Sequence, residues 1–130
     1  MPMKGSKIIA MKAGNQTVGA RLRVVLAPDI AIGPGKADLL QEVGETGSIA
    51  AAGRELGMSY KRAWSLIEAM NAQFGAPLVV ANRGGRQRGG AELTDLGRKV
   101  LERYRTIEAK TQKAIAADLT ALRKLLPPGG

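Results

Sequence analysis

The sequence of 130 residues predicts a mainly α fold with a small β component: a three-helix core, a β-hairpin wing and one long C-terminal helix. Three observations carry the prediction. Gly47 to Gly75, GSIAAAGRELGMSYKRAWSLIEAMNAQFG, reads as two short helices meeting at a tight corner. Two short β-prone runs, Pro77 to Ala81 and Ala91 to Leu93, flank the glycine-rich string NRGGRQRGG. From Leu96 to Leu126 only Gly97 interrupts a run free of Pro and Gly.

Composition narrows the class of partner. With 20 Lys and Arg against 11 Asp and Glu, the net charge is +9 and the pI about 10.4, which points to a polyanion. The chain has no Cys and no His, so disulfides, thiolate metal sites and histidine acid–base chemistry are all excluded. No apolar run approaches the roughly 20 residues that span a bilayer, and the N-terminus lacks the apolar core of a secretory signal. The expectation is a cytoplasmic protein with no membrane partner.

In chain order, residues 1–16 form a basic arm with Lys4, Lys7 and Lys12 and no acid. It reads either as a reach along a phosphate backbone or as a frayed terminus. Residues 17–93 form the domain. From Thr17 to Pro28 apolar residues alternate with Arg21 and Arg23, the period of one half-buried strand. Ile30 to Gly35 then reads as a turn. Leu39, Leu40 and Val43 give the buried side of a helix from about Lys36 to Thr46.

The corner follows. Ser48 caps its first helix, where Ile49, Ala52 and Leu56 recur at helical spacing, and Gly57 supplies the left-handed residue that ends it. Ala52 and Gly53 are small enough for two helices to cross closely. Ser59 caps the second helix, with Ala63, Ile67, Met70 and Phe74 facing inward. Its first turns carry Ser59, Tyr60, Lys61, Arg62, Trp64 and Ser65. A recognition helix enters the major groove by such turns, where Lys and Arg reach guanine acceptors or phosphates. Trp64 sits at the edge of the inward stripe and reads as packing, with stacking on sugar as the alternative.

Between the two β-prone runs, Arg83, Arg86 and Arg88 have no acidic neighbour before Glu92. A hairpin directly after a recognition helix is a wing, and its arginines and the start at Ser48 are expected to act on the DNA backbone. A nucleotide-binding loop lacks both GxxxxGK[ST] and GxGxxG. A disordered RGG-type RNA segment and a merely solvated loop stay open.

Thr94 caps the long helix, residues 94–126, and Pro127 and Pro128 stop it before the tail at 127–130. Val100, Tyr104, Ile107, Thr111, Ile115, Leu122 and Leu125 make a loose stripe, so a homodimer packed through this helix is expected. Its early half, with Arg98, Lys99, Arg103 and Arg105, is expected to add to the basic surface. Asp38 with Glu42 offers only surface helix chemistry, so an enzyme is the weakest reading.

The run ETGSIAAAGRELGMSYKRAWSLIEAMNAQFGAPLVV, followed by GGRQRGG and AELTDLGRKVLERY, resembles the N-terminal DNA-binding domain of ModE-type molybdate-responsive regulators. More distantly, the corner resembles the winged helix of LysR-type regulators. The resemblance implies a dimeric repressor or activator, with the recognition helix at Ser59 to Asn71 and the dimerising helix after Thr94. Regulators of that type continue into β-barrel modules that bind molybdate, and the present sequence is expected to act without them. No cofactor is expected; molybdate is implied by the resemblance alone. The expected function is sequence-specific binding of double-stranded DNA, as a repressor on a palindromic operator. The alternative is a non-enzymatic basic module for RNA or nonspecific nucleic acid.

Overall fold

The computed structural model describes residues 18–82 and 90–129. The arm lysines Lys4, Lys7 and Lys12 and the wing arginines Arg83, Arg86 and Arg88 lie outside the described residues. In order come β1 (Val24–Ala27), β2 (Ile30–Ile32), α1 (Pro34–Thr46), α2 (Ile49–Glu55), α3 (Tyr60–Gln73), β3 (Val79–Asn82), β4 (Gly90–Leu93) and α4 (Asp95–Arg123). The strands form two separate antiparallel pairs, β1–β2 and β3–β4. Among the described residues no helix is long and apolar enough to cross a membrane.

The single strand expected from Thr17 to Pro28 is corrected to a hairpin. Val24 pairs with Ile32 and Val25 with Ala31, and a register shift between Val25 and Ala27 breaks the ladder. The chain reverses at Pro28 and Asp29; Asp29 adopts a left-handed φ of 67°, which a short polar side chain tolerates. Residues 18–23 are not strand, because their backbone groups are used elsewhere. The Leu22 carbonyl accepts a 2.5 Å bond from the Tyr104 hydroxyl, and the Ala20 carbonyl accepts one of 2.8 Å from the Gln112 amide.

The three helices α1 to α3 enclose one core in which Leu39, Leu40, Val43, Ala52, Ala63, Ile67 and Met70 are buried. Sequence periodicity accounts for this stripe directly. At the corner Gly57 adopts φ 71°, and the Met58 N–H bonds the Gly53 carbonyl at 2.9 Å. A Cβ on Gly53 would stand 3.2 Å from the Met58 carbonyl oxygen and 3.4 Å from the Ala63 methyl, so the helices cross as closely as the small residues imply. Ser48 accepts from the Ala51 N–H and Ser59 from the Arg62 N–H, each as an N-cap.

α4 spans 29 residues, about 44 Å at 1.5 Å per residue. Its first turns belong to the domain. Thr94 caps it by accepting from Gly97, and Gly97 must lack a side chain because a Cβ there would overlap the Leu78 carbonyl. Tyr104 is buried in the domain core, which corrects its assignment to a face for a second copy, and Val100 packs partly against that core. Burial, with the Glu108 charge second, pushes the Tyr104 phenol up to about 12, so it remains a donor to Leu22. Further along, Leu122 is 64% and Leu125 80% exposed.

Two charged residues of α1 are not on the surface as expected: Asp38 and Glu42 are buried. Arg105, expected to be part of the basic surface, reaches Asp38 at 2.8 Å, Glu108 at 2.9 Å and the Gln41 side-chain oxygen at 3.0 Å. Arg98 is likewise paired with Asp95. Burial pushes the Asp38 carboxyl above the usual carboxylate range, against the hydrogen bond and charge of Arg105. Burial works against the guanidinium too, but its bonds to Asp38 and Glu108 hold its pKa above the ordinary value.

A raised carboxyl pKa means that the folded state favours the protonated form. Its contribution is complete below the unfolded value of about 3.9 and is lost as pH rises through the folded value. Arg105→Met, which leaves a buried carboxylate unpaired, is expected to cost about 3–5 kcal/mol near neutral pH. Part of that loss should return on acidification, as Asp38 takes up a proton. Urea denaturation of both proteins at about pH 7 and about pH 4.5 measures it; an equal loss at both would contradict the account.

Candidate nucleic-acid interface

α3 presents its first turns to solvent. Ser59, Tyr60, Lys61, Arg62, Trp64 and Ser65 are all exposed, while Ala63 between them is buried. The amphipathic spacing explains this: Ala63, Ile67 and Met70 occupy one face, so Lys61 and Ser65 point away from the core. Ser48 uses its hydroxyl oxygen to cap α2 and sits half-buried at the start of that helix.

Trp64 does not close the core. It is 41% exposed and, with Tyr60, Asn71, Val79 and Ala81, lines a cleft of about 210 Å³ between α3 and the β3–β4 hairpin. The cause is its position on the helix, about 100° away from Ala63 and on the side that faces the hairpin. Tyr60, 57% exposed, shares this flank. An aromatic pair therefore stands between the two parts of the interface, with ring surface available.

The hairpin is latched to α3 by Asn71, a residue the sequence reading passed over. Its side-chain oxygen accepts from Leu78 N–H at 2.7 Å and Val79 N–H at 3.2 Å, and its amide donates to the Val79 carbonyl at 3.1 Å. The only sequence signal is an amide residue late in a helix just before a β-prone run. From there Val79 pairs with Leu93, Val80 with Glu92, Ala81 with Ala91 and Asn82 with Gly90. Ala91 N–H also bonds the Gly47 carbonyl at 2.9 Å, which ties the returning strand to the start of the corner. Three core helices with the third exposed at its N-terminal end, and an antiparallel hairpin fixed beside it, define a winged helix-turn-helix domain.

Comparison with known proteins places the domain more narrowly. Residues 36–98 match the family described as "Bacterial regulatory helix-turn-helix protein, lysR family". It is 45% identical over 86 residues to the molybdenum-pterin-binding protein MopB of Rhodobacter capsulatus, covering 66% of this chain and 32% of that protein. Against the molybdenum transport protein ModE of Azotobacter vinelandii the identity is 44% over 77 residues, covering 59% and 28%. With the DNA-binding transcriptional dual regulator ModE of Escherichia coli K12 it is 36% over 81 residues, covering 62% and 31%. The chain thus spans about a third of the length of these curated relatives. Among solved structures, the crystal structure of a CbnR_DBD-DNA complex superposes with a TM-score of 0.54 at 25% identity, covering 67% of this chain and 94% of that one.

Asn71→Ala leaves the Leu78 and Val79 N–H groups without their partner and is expected to destabilise the domain by about 2–4 kcal/mol. Asn71→Asp keeps an acceptor for both N–H groups but sets a carboxylate oxygen against the Val79 carbonyl, so a smaller loss of about 1–2 kcal/mol is expected. Chemical denaturation of the two variants tests the ranking.

Proposed function

We propose that this protein is a transcriptional regulator that binds double-stranded DNA sequence-specifically, as a homodimer. The observation that carries the reading is the exposure of Lys61, Arg62 and Ser65 on the first turns of α3, beside a latched hairpin. In this reading Lys61, Arg62 and Ser65 reach base edges or adjacent phosphates, and Ser59 and Tyr60 meet the backbone at the helix start. Trp64 offers its exposed ring to a sugar. Ser48 and the wing arginines Arg83, Arg86 and Arg88 act on the phosphates. The relatives named as transcriptional regulators, and the likeness to a domain solved on DNA, support it.

The dimer reading rests on α4. Leu122 and Leu125 are mostly exposed near its end, and an apolar groove of about 310 Å³ lined by Leu26, Phe74, Val100 and Ile107 opens beside its start. A two-fold pair of such helices would cover surface that water otherwise solvates at a cost of about 25 cal/mol per Å². Of the residues expected on the dimer face, Ile107, Thr111, Ile115, Leu122 and Leu125 keep that role, while Tyr104 is committed to the protomer. The operator would then carry two half-sites related by the same symmetry. Repression is the finer expectation, and the names of two relatives, a molybdenum-pterin-binding protein and a molybdenum transport protein, favour a link to molybdenum.

Selection of bound duplexes from a random pool, followed by titration by fluorescence anisotropy, tests the reading. Lys61→Ala or Arg62→Ala is expected to weaken the selected duplex by about 1–3 kcal/mol, and random duplex much less. Failure of the unmodified protein to bind duplex at low salt, or equal binding of single strands and RNA, would overturn it. Independently, changing both Leu122 and Leu125 to Ser should convert a dimer to a monomer in sedimentation; an unchanged mass would remove α4 from the interface.

A further inference from the structure

α3 has two flanks, and only one of them faces the β3–β4 hairpin. Residues on a helix advance by about 100° each. With Ala63 directed into the core, Tyr60 and Trp64 lean toward that hairpin, and Arg62 and Leu66 lean the opposite way. The opposite flank holds a cleft of about 290 Å³ where the β1–β2 hairpin and the start of α1 meet the corner. Met58 and Leu66 contribute its apolar wall, and Arg23, Lys36 and Arg62 its charge.

These three cations come from three different elements and share one cleft. No acidic side chain lines it, and among the described residues none of the three forms an ion pair. Arg98 and Arg105, by contrast, are each matched to a carboxylate. Two of the three are also positioned. The Lys36 ammonium donates to the Ala31 carbonyl at 3.1 Å, which leaves further donors for another acceptor. The stem of Arg23 lies beside Gly33, where an added Cβ would stand 3.9 Å from it. Like charges gathered without a counter-charge repel each other, so the arrangement gains when an anion enters.

The cleft lies against Met58 and Arg62, at the end of α3 that would enter the groove of DNA. We propose that Arg23 and Lys36, on the side of α3 toward which Arg62 leans, form a second binding flank for the phosphodiester backbone of duplex DNA. On this view the β1–β2 hairpin is a counterpart to the wing on the far side of the recognition helix. The proposal rests on the DNA-binding reading above and extends it to residues which that reading does not use. Contacts of this kind hold the duplex without reading its sequence.

The test is the salt dependence of duplex binding by full-length protein, measured by anisotropy on a selected and a random duplex. Each phosphate contact contributes about 0.9 to the slope of log affinity against log salt. In the Arg23→Gln, Lys36→Gln double variant the slope is expected to become shallower by about two such steps per protomer, about four for a bound dimer. Affinity should fall by the same factor, on the order of tenfold or more at about 0.1 M salt, on both duplexes. Arg23→Lys with Lys36→Arg should restore the slope, which a merely damaged fold would not allow. An unchanged slope in the double Gln variant, with Lys61→Ala still losing discrimination, overturns this proposal and leaves the DNA-binding reading standing. Failure of unmodified protein to bind duplex overturns both. A third arm titrates inorganic phosphate into DNA-free protein by calorimetry. Saturable binding abolished by the Gln changes, together with an unchanged DNA slope, would assign the cleft to a free anion and likewise overturn the proposal.

Discussion

The arrangement of α3, the β3–β4 hairpin and α4 depends on how one buried residue, Leu78, is held. Its N–H is bound by Asn71 at the end of α3, and its carbonyl accepts the Thr94 N–H at the start of α4. Its side chain is fully buried, and Gly97 is pressed against its carbonyl. Backbone polar groups removed from water must find partners, so neither contact can be released cheaply. The consequence is geometric. α3, the β3–β4 hairpin and α4 are tied within a few residues of one point, and none can tilt without straining the others.

The distribution of charge follows from similar competition. A net charge of +9 invites the view that every Arg near the corner faces a polyanion, but the fold uses some of them internally. Arg105 lies across α1 and α4, where a buried Asp38 without it would carry the full desolvation cost of a carboxylate. Such a pair gives modest net stability, because desolvating both charges offsets most of their attraction. What it does is fix where α4 crosses α1. Among the described residues Lys61 and Arg62 form no ion pair, and that contrast separates cations of the fold from cations of the surface more sharply than counting does.

Helices were readable in the sequence because their signals are local. Ser48, Ser59 and Thr94 cap where hydroxyl residues stand before apolar periodicity, and Gly57 turns where only a left-handed residue fits. The β3 and β4 runs were legible from their β-prone residues on either side of glycines. The first hairpin was not: Val18 to Leu26 alternates as a strand would, but the pairing of Leu22 with Tyr104 and Ala20 with Gln112 joins residues more than 80 positions apart. Long-range competition for backbone groups leaves no trace in local periodicity. The same holds for Asp38, whose burial depends on a guanidinium from another helix, and for Tyr104, which fits a dimer stripe by spacing yet is taken up by its own core. Among the expected interface residues, the α3 set was readable from the helical wheel, because exposure there depends on one helix. Trp64 sits at the edge of that wheel, where a few degrees decide between packing and exposure.

These two kinds of constraint bear on how a dimer could read DNA. If α4 pairs with its twin, the separation of the two α3 helices is fixed by where the α4 helices cross, because Leu78 ties α3 to α4 and Arg105 ties α4 to α1. Operator spacing would then be encoded in the distal apolar residues of α4, far from any base. Sequence preference would be encoded separately, in the first turns of α3. A duplex bent toward its flanks would also bring phosphates nearer to the two hairpins, so its deformability would enter the affinity without any further base contact. Spacing, preference and flexibility would thus depend on three different sets of side chains, each open to change without disturbing the core that Leu78 organises.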